Sequence, residues 1–314
     1  MEDVLFLKSI MVDKPYGGQK IQKRFGFTEA LDRKVGEYWA ISAHPNGMSR
    51  IAQGPYAGQT LKEVYENHRE LFADDPHERF PLLIKINEIN RPVSVQVHPD
   101  DAYAMEHEND SGKAELNVFF DVEPGTKLIR GHNAKTREEL RQGIEAGDWD
   151  HLLRRIPVKD NDFTYTPPGT IHGIEGKLMM AEVQQSSDVT YRLYDYDRTD
   201  ANGKKRPLHI EQAIAVTTVP FQEPEVHPTV RHENGNTITR YVSVPTFTVT
   251  RYEVTNSVTV DNPTYSCVLL LSGSGTLKVN GSTEDIRAGQ GMIITANAKT
   301  FQLSGKMDVL VSRI

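Results

Sequence analysis

Three short segments carry residue types that could hold a metal ion: Gln96-Val97-His98, Gly112-Lys113-Ala114-Glu115 and Pro167-Pro168-Gly169-Thr170-Ile171-His172. Val93, Val95 and Val97 alternate with Ser94, Gln96 and His98, the pattern of a strand with one polar face. Side chains two apart on a strand share a face, so Gln96 and His98 point the same way. Pro99 cannot donate to a ladder and ends the strand. Gly169 allows a tight turn that aims His172 inward. Two imidazoles, one carboxylate and an amide oxygen suit a borderline cation such as Zn²⁺ and leave room for water or substrate. Each residue also has an ordinary reading. The chain has eleven histidines, most histidines are surface or satisfied core residues, and Gly-Lys-x-Glu is common in solvated loops. Spacing alone permits a metal site without requiring one.

Arg192 lies in Ser186-Ser187-Asp188-Val189-Thr190-Tyr191-Arg192-Leu193-Tyr194-Asp195-Tyr196-Asp197-Arg198. It is either part of an exposed arginine–aspartate pair or a permanently charged fork for phosphate or a developing oxyanion. Lys85 and Lys113 face the same choice between surface lysine and anion contact. The tyrosines and aspartates at 194–197 read as packing and hydrogen bonding. The chain has no phosphate-cradling glycine loop, nucleophile elbow or dinucleotide fingerprint.

Placing such residues takes β structure, and the chain supplies it. Its 314 residues allow two domains, and 38% apolar with 25% charged residues is ordinary for a soluble globular protein. A net charge of −7 argues against nucleic acid or an anionic membrane as the main partner. The longest apolar run, Cys267 to Leu271, is too short to span a bilayer, and no export signal is evident, so a cytoplasmic location is expected. Cys267, the single cysteine, rules out an internal disulfide and a cysteine-built metal site.

Strands are expected over 36–42 and 81–87, with turns at Lys14 to Gly18, Ser272 to Gly275 and, as a hairpin, Asn280-Gly281. Thr60 can cap a helix carrying Leu61, Val64, Tyr65, His68, Leu71 and Phe72. Thr136-Arg137-Glu138-Glu139 fits a capping box opening a helical stretch to about residue 155. Pro207 suits the first residue of a further helix. Residues 220–228 carry three prolines, Pro220, Pro224 and Pro228, and read as a linker. Beyond them, short strands separated by turns indicate a sandwich or jelly roll. The expected class is mainly β. Residues 1–225 form the catalytic module, with helical segments near 61–72 and 136–155, and residues 236–314 form a second module.

Taken together, these residues resemble type I mannose-6-phosphate isomerases in their short bacterial form. The resemblance runs through Tyr16-Gly17-Gly18, Gly36 to Ser42, Phe80 to Lys85, Ser94 to Asp101, Lys113-Ala114-Glu115, Leu152 to Arg155, Pro167 to His172 and Glu182 to Arg198. It implies two cupin-type jelly-roll modules, the first with a helical insertion. The second has no histidine after His232 and is expected to be metal-free. Carried over position by position, the resemblance implies Gln96, His98, Glu115 and His172 as ligands of one Zn²⁺ per chain. It implies Arg192 as catalytic, Glu182 and Lys113 as polar groups near the metal, and Ser94 and Lys85 as residues that meet the phosphate. Asn161 stands where the family's motif usually has glycine; asparagine tolerates a left-handed turn. Tyr16, Asn117 and Val118 stand where relatives usually have aromatic residues, tryptophan in the first case, which bears on substrate preference.

The implied reaction interconverts an aldose phosphate and a ketose phosphate through an enediol, with Glu182, Lys113 and metal-bound hydroxide as alternative bases. Two rivals remain: a non-catalytic sugar- or metal-binding cupin protein, and an iron-dependent oxygenase, since a two-histidine, one-carboxylate set fits both metals. The expected partner is a sugar phosphate, with no nucleic acid and no membrane, on a monomer or weak homo-oligomer.

Overall fold

The structure, a computed structural model, describes residues 3–199 and 202–314. Alternation decides its layering. In Leu82–Ile89, Lys85 and Asn87 face one way and Ile84 and Ile86 the other, and all eight residues are buried. A strand covered on both faces belongs to a middle layer. It lies inside a six-stranded antiparallel sheet ordered Phe163–Thr166, Glu115–Phe120, Leu178–Gln185, Leu82–Ile89, Val35–Ile41, Ile10–Gly18. The apolar face of this sheet packs on a ten-stranded sheet from the C-terminal half; Tyr38, Ile84, Leu116 and Val183 share one core with Phe247, Tyr265, Leu269 and Ile293. Its polar face looks onto a five-stranded sheet ordered Tyr191–Tyr194, Val93–Val97, His172–Glu175, Lys127–His132, Leu153–Pro157.

The sequence expectations for the first helices hold in outline. Thr60 caps Leu61–Asn67 in a reciprocal box: its hydroxyl accepts from Glu63 N at 3.1 Å, and the Glu63 carboxylate accepts from Thr60 N at 2.7 Å. A 3₁₀ turn, Arg69–Phe72, follows. The second capping box is only half made. Thr136 accepts from Glu139 N, but the Glu139 carboxylate turns to Lys135 N at 2.7 Å. The helical stretch divides into Arg137–Glu145 and Trp149–Leu152 around Gly147, whose φ is +66°. Asn280 and Gly281 both have positive φ and close the expected hairpin.

Three expectations are corrected. Ser272 to Gly275 is no turn; it lies within the long strand Ser266–Val279, where Cβ atoms on Gly273 and Gly275 would come within 2.1 Å of backbone oxygens on the neighbouring strand. Glycine there serves close strand approach. Lys14 to Gly18 is likewise the end of strand Ile10–Gly18, with register shifts rather than a turn. The helix expected at Pro207 starts at Ile210, and the Pro207 carbonyl accepts from the Arg192 side chain. Val4–Lys8 and Arg50–Ile51 extend the ten-stranded sheet, so N-terminal strands pair with the C-terminal half. Leu5 is 1% exposed and packs in the core shared by the two sheets. Among the described residues, no helix is long and apolar enough to cross a membrane.

The halves are also joined by an aromatic cluster. Phe72, fully buried, meets Tyr65, Phe80 and Tyr265 edge-on, with centroids 4.9, 6.1 and 5.3 Å away. Phe72→Ala is expected to cost about 3–5 kcal/mol in denaturant unfolding while the folded protein keeps its metal-binding capacity. An unchanged unfolding midpoint would contradict the role given to this cluster.

Candidate metal centre

Residues directly opposite one another across a ladder share a face. In the five-stranded sheet Arg192 pairs with Gln96, Gln96 with His172, and His172 with Arg130, so four polar side chains form one row. In the facing sheet Glu115 aligns with Thr166 and Gln184, and Asn117 with Glu182 and Lys85. The two polar faces enclose a cavity of about 300 Å³ lined by residues of both rows.

At one end of the cavity three ligand atoms converge. His98 Nε2 is 3.2 Å from Glu115 Oε1, and His172 Nε2 is 3.6 Å from Glu115 Oε2. All three groups have ligand atoms within 4.8 Å of one another. Two donors, each about 2 Å from one tetrahedral ion, stand about 3.3 Å apart, so the set fits a divalent cation. Outer contacts strengthen the fit. His98 Nδ1 donates to Val189 O at 2.7 Å and His172 Nδ1 to Thr170 O at 2.9 Å, which leaves both Nε2 lone pairs facing inward. Burial, aided by Lys113, pushes His98 down to about 3, and burial lowers His172, so both rings are neutral, as ligands must be. Burial alone would raise the Glu115 carboxyl, but Lys113 and His98 pull it well below the usual range. Gln96 completes the rim: its amide nitrogen is 3.4 Å from His172 Nε2, and presenting its oxygen takes a half-turn of the amide.

Local sequence explains the convergence. His98 follows strand Val93–Val97, and Asp100 caps the helix Asp101–Glu108, fixing the exit of the chain. Gly169, with φ of +80°, donates its N–H to His98 O at 2.9 Å, so the turn that aims His172 is tied to the backbone of His98. A Cβ on Gly169 would lie 2.5 Å from Thr218 Oγ1 and 2.9 Å from Val216 O.

Beyond the ligands lies a chain of alternating charges. Lys85 Nζ is 3.2 Å from Glu182 Oε1 and 3.9 Å from Glu37 Oε1, and Lys14 Nζ is 3.3 Å from the same Glu37 oxygen. Tyr16 and Trp39 each donate to Glu37 at 2.7 Å. Burial raises the Glu37 carboxyl, but Lys85, Lys14 and these donors bring it down to about 2. Glu182 goes the other way: burial and the Glu115 charge push it up to about 7. Asn87 donates to its Oε2 at 2.6 Å, and Oε1, in ion-pair contact with Lys85, has no hydrogen-bond partner among the described residues.

Known proteins place this geometry. The family model for the catalytic domain of type I phosphomannose isomerase matches residues 4–117, and that for the mannose-6-phosphate isomerase cupin domain matches residues 237–314. Mannose-6-phosphate isomerase from Streptococcus mutans is 45% identical over 313 residues, covering 99% of this chain and 98% of the relative. The chain belongs to the type I phosphomannose isomerase family. A relative from Bacillus subtilis, named mannose-6-phosphate isomerase, is 40% identical over 99% of this chain and 98% of its own. The crystal structure of the mannose 6-phosphate isomerase from Bacillus subtilis superposes with a TM-score of 0.95 at 37% identity, covering 100% of both chains. A structure from Archaeoglobus fulgidus, at 21% identity and a TM-score of 0.73 over 98% of this chain and 96% of its own, shares the fold.

Gln96, His98, Glu115, His172, Lys85, Lys113, Glu182, Ser94 and Arg192 all lie at this one cavity; His98 stands at its metal end and the others line its wall. Lys113 Nζ is 2.9 Å from Glu115 Oε1 and 3.4 Å from His98 Nε2. Of the family departures, Tyr16 and Asn117 line the cavity, whereas Val118 faces the core behind it and bears on packing alone. Asn161 adopts φ of +69°, as its glycine-like position requires. Several lining residues escaped the sequence reading, among them Glu37, Asn87, Arg130 and Arg206. Glu37 had a signal. It is the one carboxylate in Val-Gly-Glu-Tyr-Trp-Ala-Ile, and a charge in so apolar a strand needs a partner.

Replacing His172 by Ala is expected to lower the bound divalent metal, by elemental analysis, to a small fraction of the wild-type content. Gly169→Ala should do the same more mildly, through a displaced turn, and cost about 1–2 kcal/mol of stability from the left-handed backbone. A full metal complement in both variants would contradict the ligand set.

Proposed function

We propose that the chain interconverts mannose 6-phosphate and fructose 6-phosphate through an enediol, using one Zn²⁺ held by Gln96, His98, Glu115 and His172. The observation that carries this reading is the juxtaposition of a neutral two-histidine, one-carboxylate set with a buried carboxyl poised near 7, Glu182, in one cavity of a phosphomannose isomerase fold. A bound divalent ion supplies Lewis-acid polarisation of the substrate oxygens.

The protein's own groups do the rest. Glu182, in its carboxylate form, takes the proton from C2 of the open-chain aldose and returns it to C1. A base serves best with a pKa near the working pH, and Glu182 meets that condition. Lys85 and Asn87 hold its carboxylate in place. Lys113, beside Glu115, serves as the proton donor and acceptor for the substrate oxygens as the proton on O2 is exchanged for one on O1. Arg192 stabilises charge developing on those oxygens. Its Nη1 donates to Pro207 O at 2.9 Å, while its buried Nε has no acceptor among the described residues and is left for a ligand oxygen. Ser94 and Lys85 bind the substrate. A sugar phosphate is the partner, and the cytoplasm the expected location.

The test is isomerisation of mannose 6-phosphate with and without chelator; metal-replete protein that forms no ketose phosphate would refute the assignment. Arg192→Ala is expected to lower kcat by about a hundredfold or more with metal content intact. As pH falls below about 7, Glu182 gains a proton and cannot act as base. The kcat/KM profile should therefore decline on its acid side near that value, and Glu182→Gln should remove both most of the activity and that limb.

A further inference from the structure

The cations of the cavity are not equivalent, and their partners separate them. Lys85 is ringed by carboxylates: Glu182 and Glu37 in contact, with Glu115 and Asp188 next. Burial opposes its charge, but Glu182 and Glu37 more than offset that. A phosphate dianion brought to Lys85 would meet those carboxylates in a medium of low dielectric, where the repulsion is large. Lys85 is suited to the hydroxyls of a sugar. Lys14, on the same side, is matched by Glu37.

The opposite wall has the reverse balance. Arg192, Arg198 and Arg206 gather about one carboxylate, Asp195, the acidic group that favours the charge of Arg192 among its described neighbours. Three guanidinium groups less one carboxylate leave two positive charges uncompensated there among the described residues. Asp195 is 6% exposed and holds Arg206 as a fork, accepting from Nε at 2.8 Å and from Nη2 at 2.5 Å. Arg198 binds the same carboxylate and Pro92 O, and it does not line the cavity. Arg206 and Arg192 do line it, together with Ser94. The side chain of Arg206 is 35% exposed, and its Nη1 has no hydrogen-bond partner among the described residues. A planar, preorganised guanidinium with donors to spare, in a cavity that a serine hydroxyl also lines, is the chemistry that recognises a phosphate.

Resting on the isomerase reading, we propose that Arg206, held by Asp195, is the residue that selects phosphorylated over unphosphorylated sugars, taking the phosphate dianion beside Ser94 and Arg192. Lys85 then faces the sugar chain.

The test uses the metal-loaded full chain and its Arg206→Gln and Arg206→Lys variants. Two quantities are measured: kcat/KM for mannose 6-phosphate relative to mannose, and calorimetric binding of glucitol 6-phosphate and glucitol, which cannot isomerise. Loss of a charge-assisted contact is expected to cut both the preference for the phosphorylated sugar and the affinity for glucitol 6-phosphate by about ten- to a hundredfold, mainly through KM. The Lys variant, which keeps the charge without the fork, should recover part of it. Undiminished glucitol 6-phosphate binding in Arg206→Gln, with loss instead in Lys85→Gln, would overturn the proposal. A wild-type chain that isomerises neither sugar would refute the isomerase reading instead, while the calorimetry would still decide the role of Arg206.

Discussion

A carboxylate shut away from water must be met by positive charge, and the site is built around that requirement. Glu115 is 3% exposed, on the cavity face of a strand whose other face, with Leu116 and Val118, packs into the core. Lys113 and the two imidazoles of His98 and His172 surround it. Leaving such a charge uncompensated costs several kcal/mol. A divalent ion at the converging lone pairs answers the same need more completely, because neutral imidazoles add ligand strength without adding charge. Metal binding and the fold of this end of the cavity are thus two aspects of one electrostatic constraint.

The sheets meet that constraint through register. A ladder places opposed residues on one face whatever their separation in the chain. Arg192, Gln96, His172 and Arg130 become neighbours because four strands align in one row. The facing sheet supplies Glu115, Asn117, Glu182 and Lys85 in two further rows. Burial on both sides of the six-stranded sheet then makes these rows rigid: its back is locked into the ten-stranded sheet, so its front cannot adjust without disturbing the core. The second half of the chain serves catalysis by holding the back wall.

The cavity also divides its charges. Along the Lys85 side, positive and negative groups alternate and cancel, and the balance lifts Glu182 toward 7 while Glu37 falls to about 2. Two carboxyls on the strands that flank Leu82–Ile89 differ because Glu37 has two ammonium groups and two neutral donors, whereas Glu182 shares one ammonium and feels the charge of Glu115. Along the Arg192 side, positive charge accumulates. A substrate with a neutral, reactive end and an anionic end finds a matching polarity in such a cavity.

How far the sequence reached depended on whether a property was local. The alternation in Val93–Val97, the strand end at Pro99, the turn at Gly169 and the hairpin at Asn280-Gly281 rest on single-residue conformational limits, and they appear as read. The convergence of His98, Glu115 and His172 in one metal-capable group was legible in residue chemistry together with the family resemblance of the motifs. The glycines of Ser272 to Gly275 misled because glycine serves both a turn and a close strand contact, and only the neighbouring strand tells which. Val4–Lys8 joined the distant sheet for a similar reason: an apolar strand takes whichever edge buries it. Residue types, by themselves, determined which atoms can bind a metal, carry a proton or stay charged. Register and packing alone decided which of those atoms meet, which carboxyl is lifted to neutrality and which arginine is left with donors to spare, because burial and long-range pairing exist only once the chain has closed on itself.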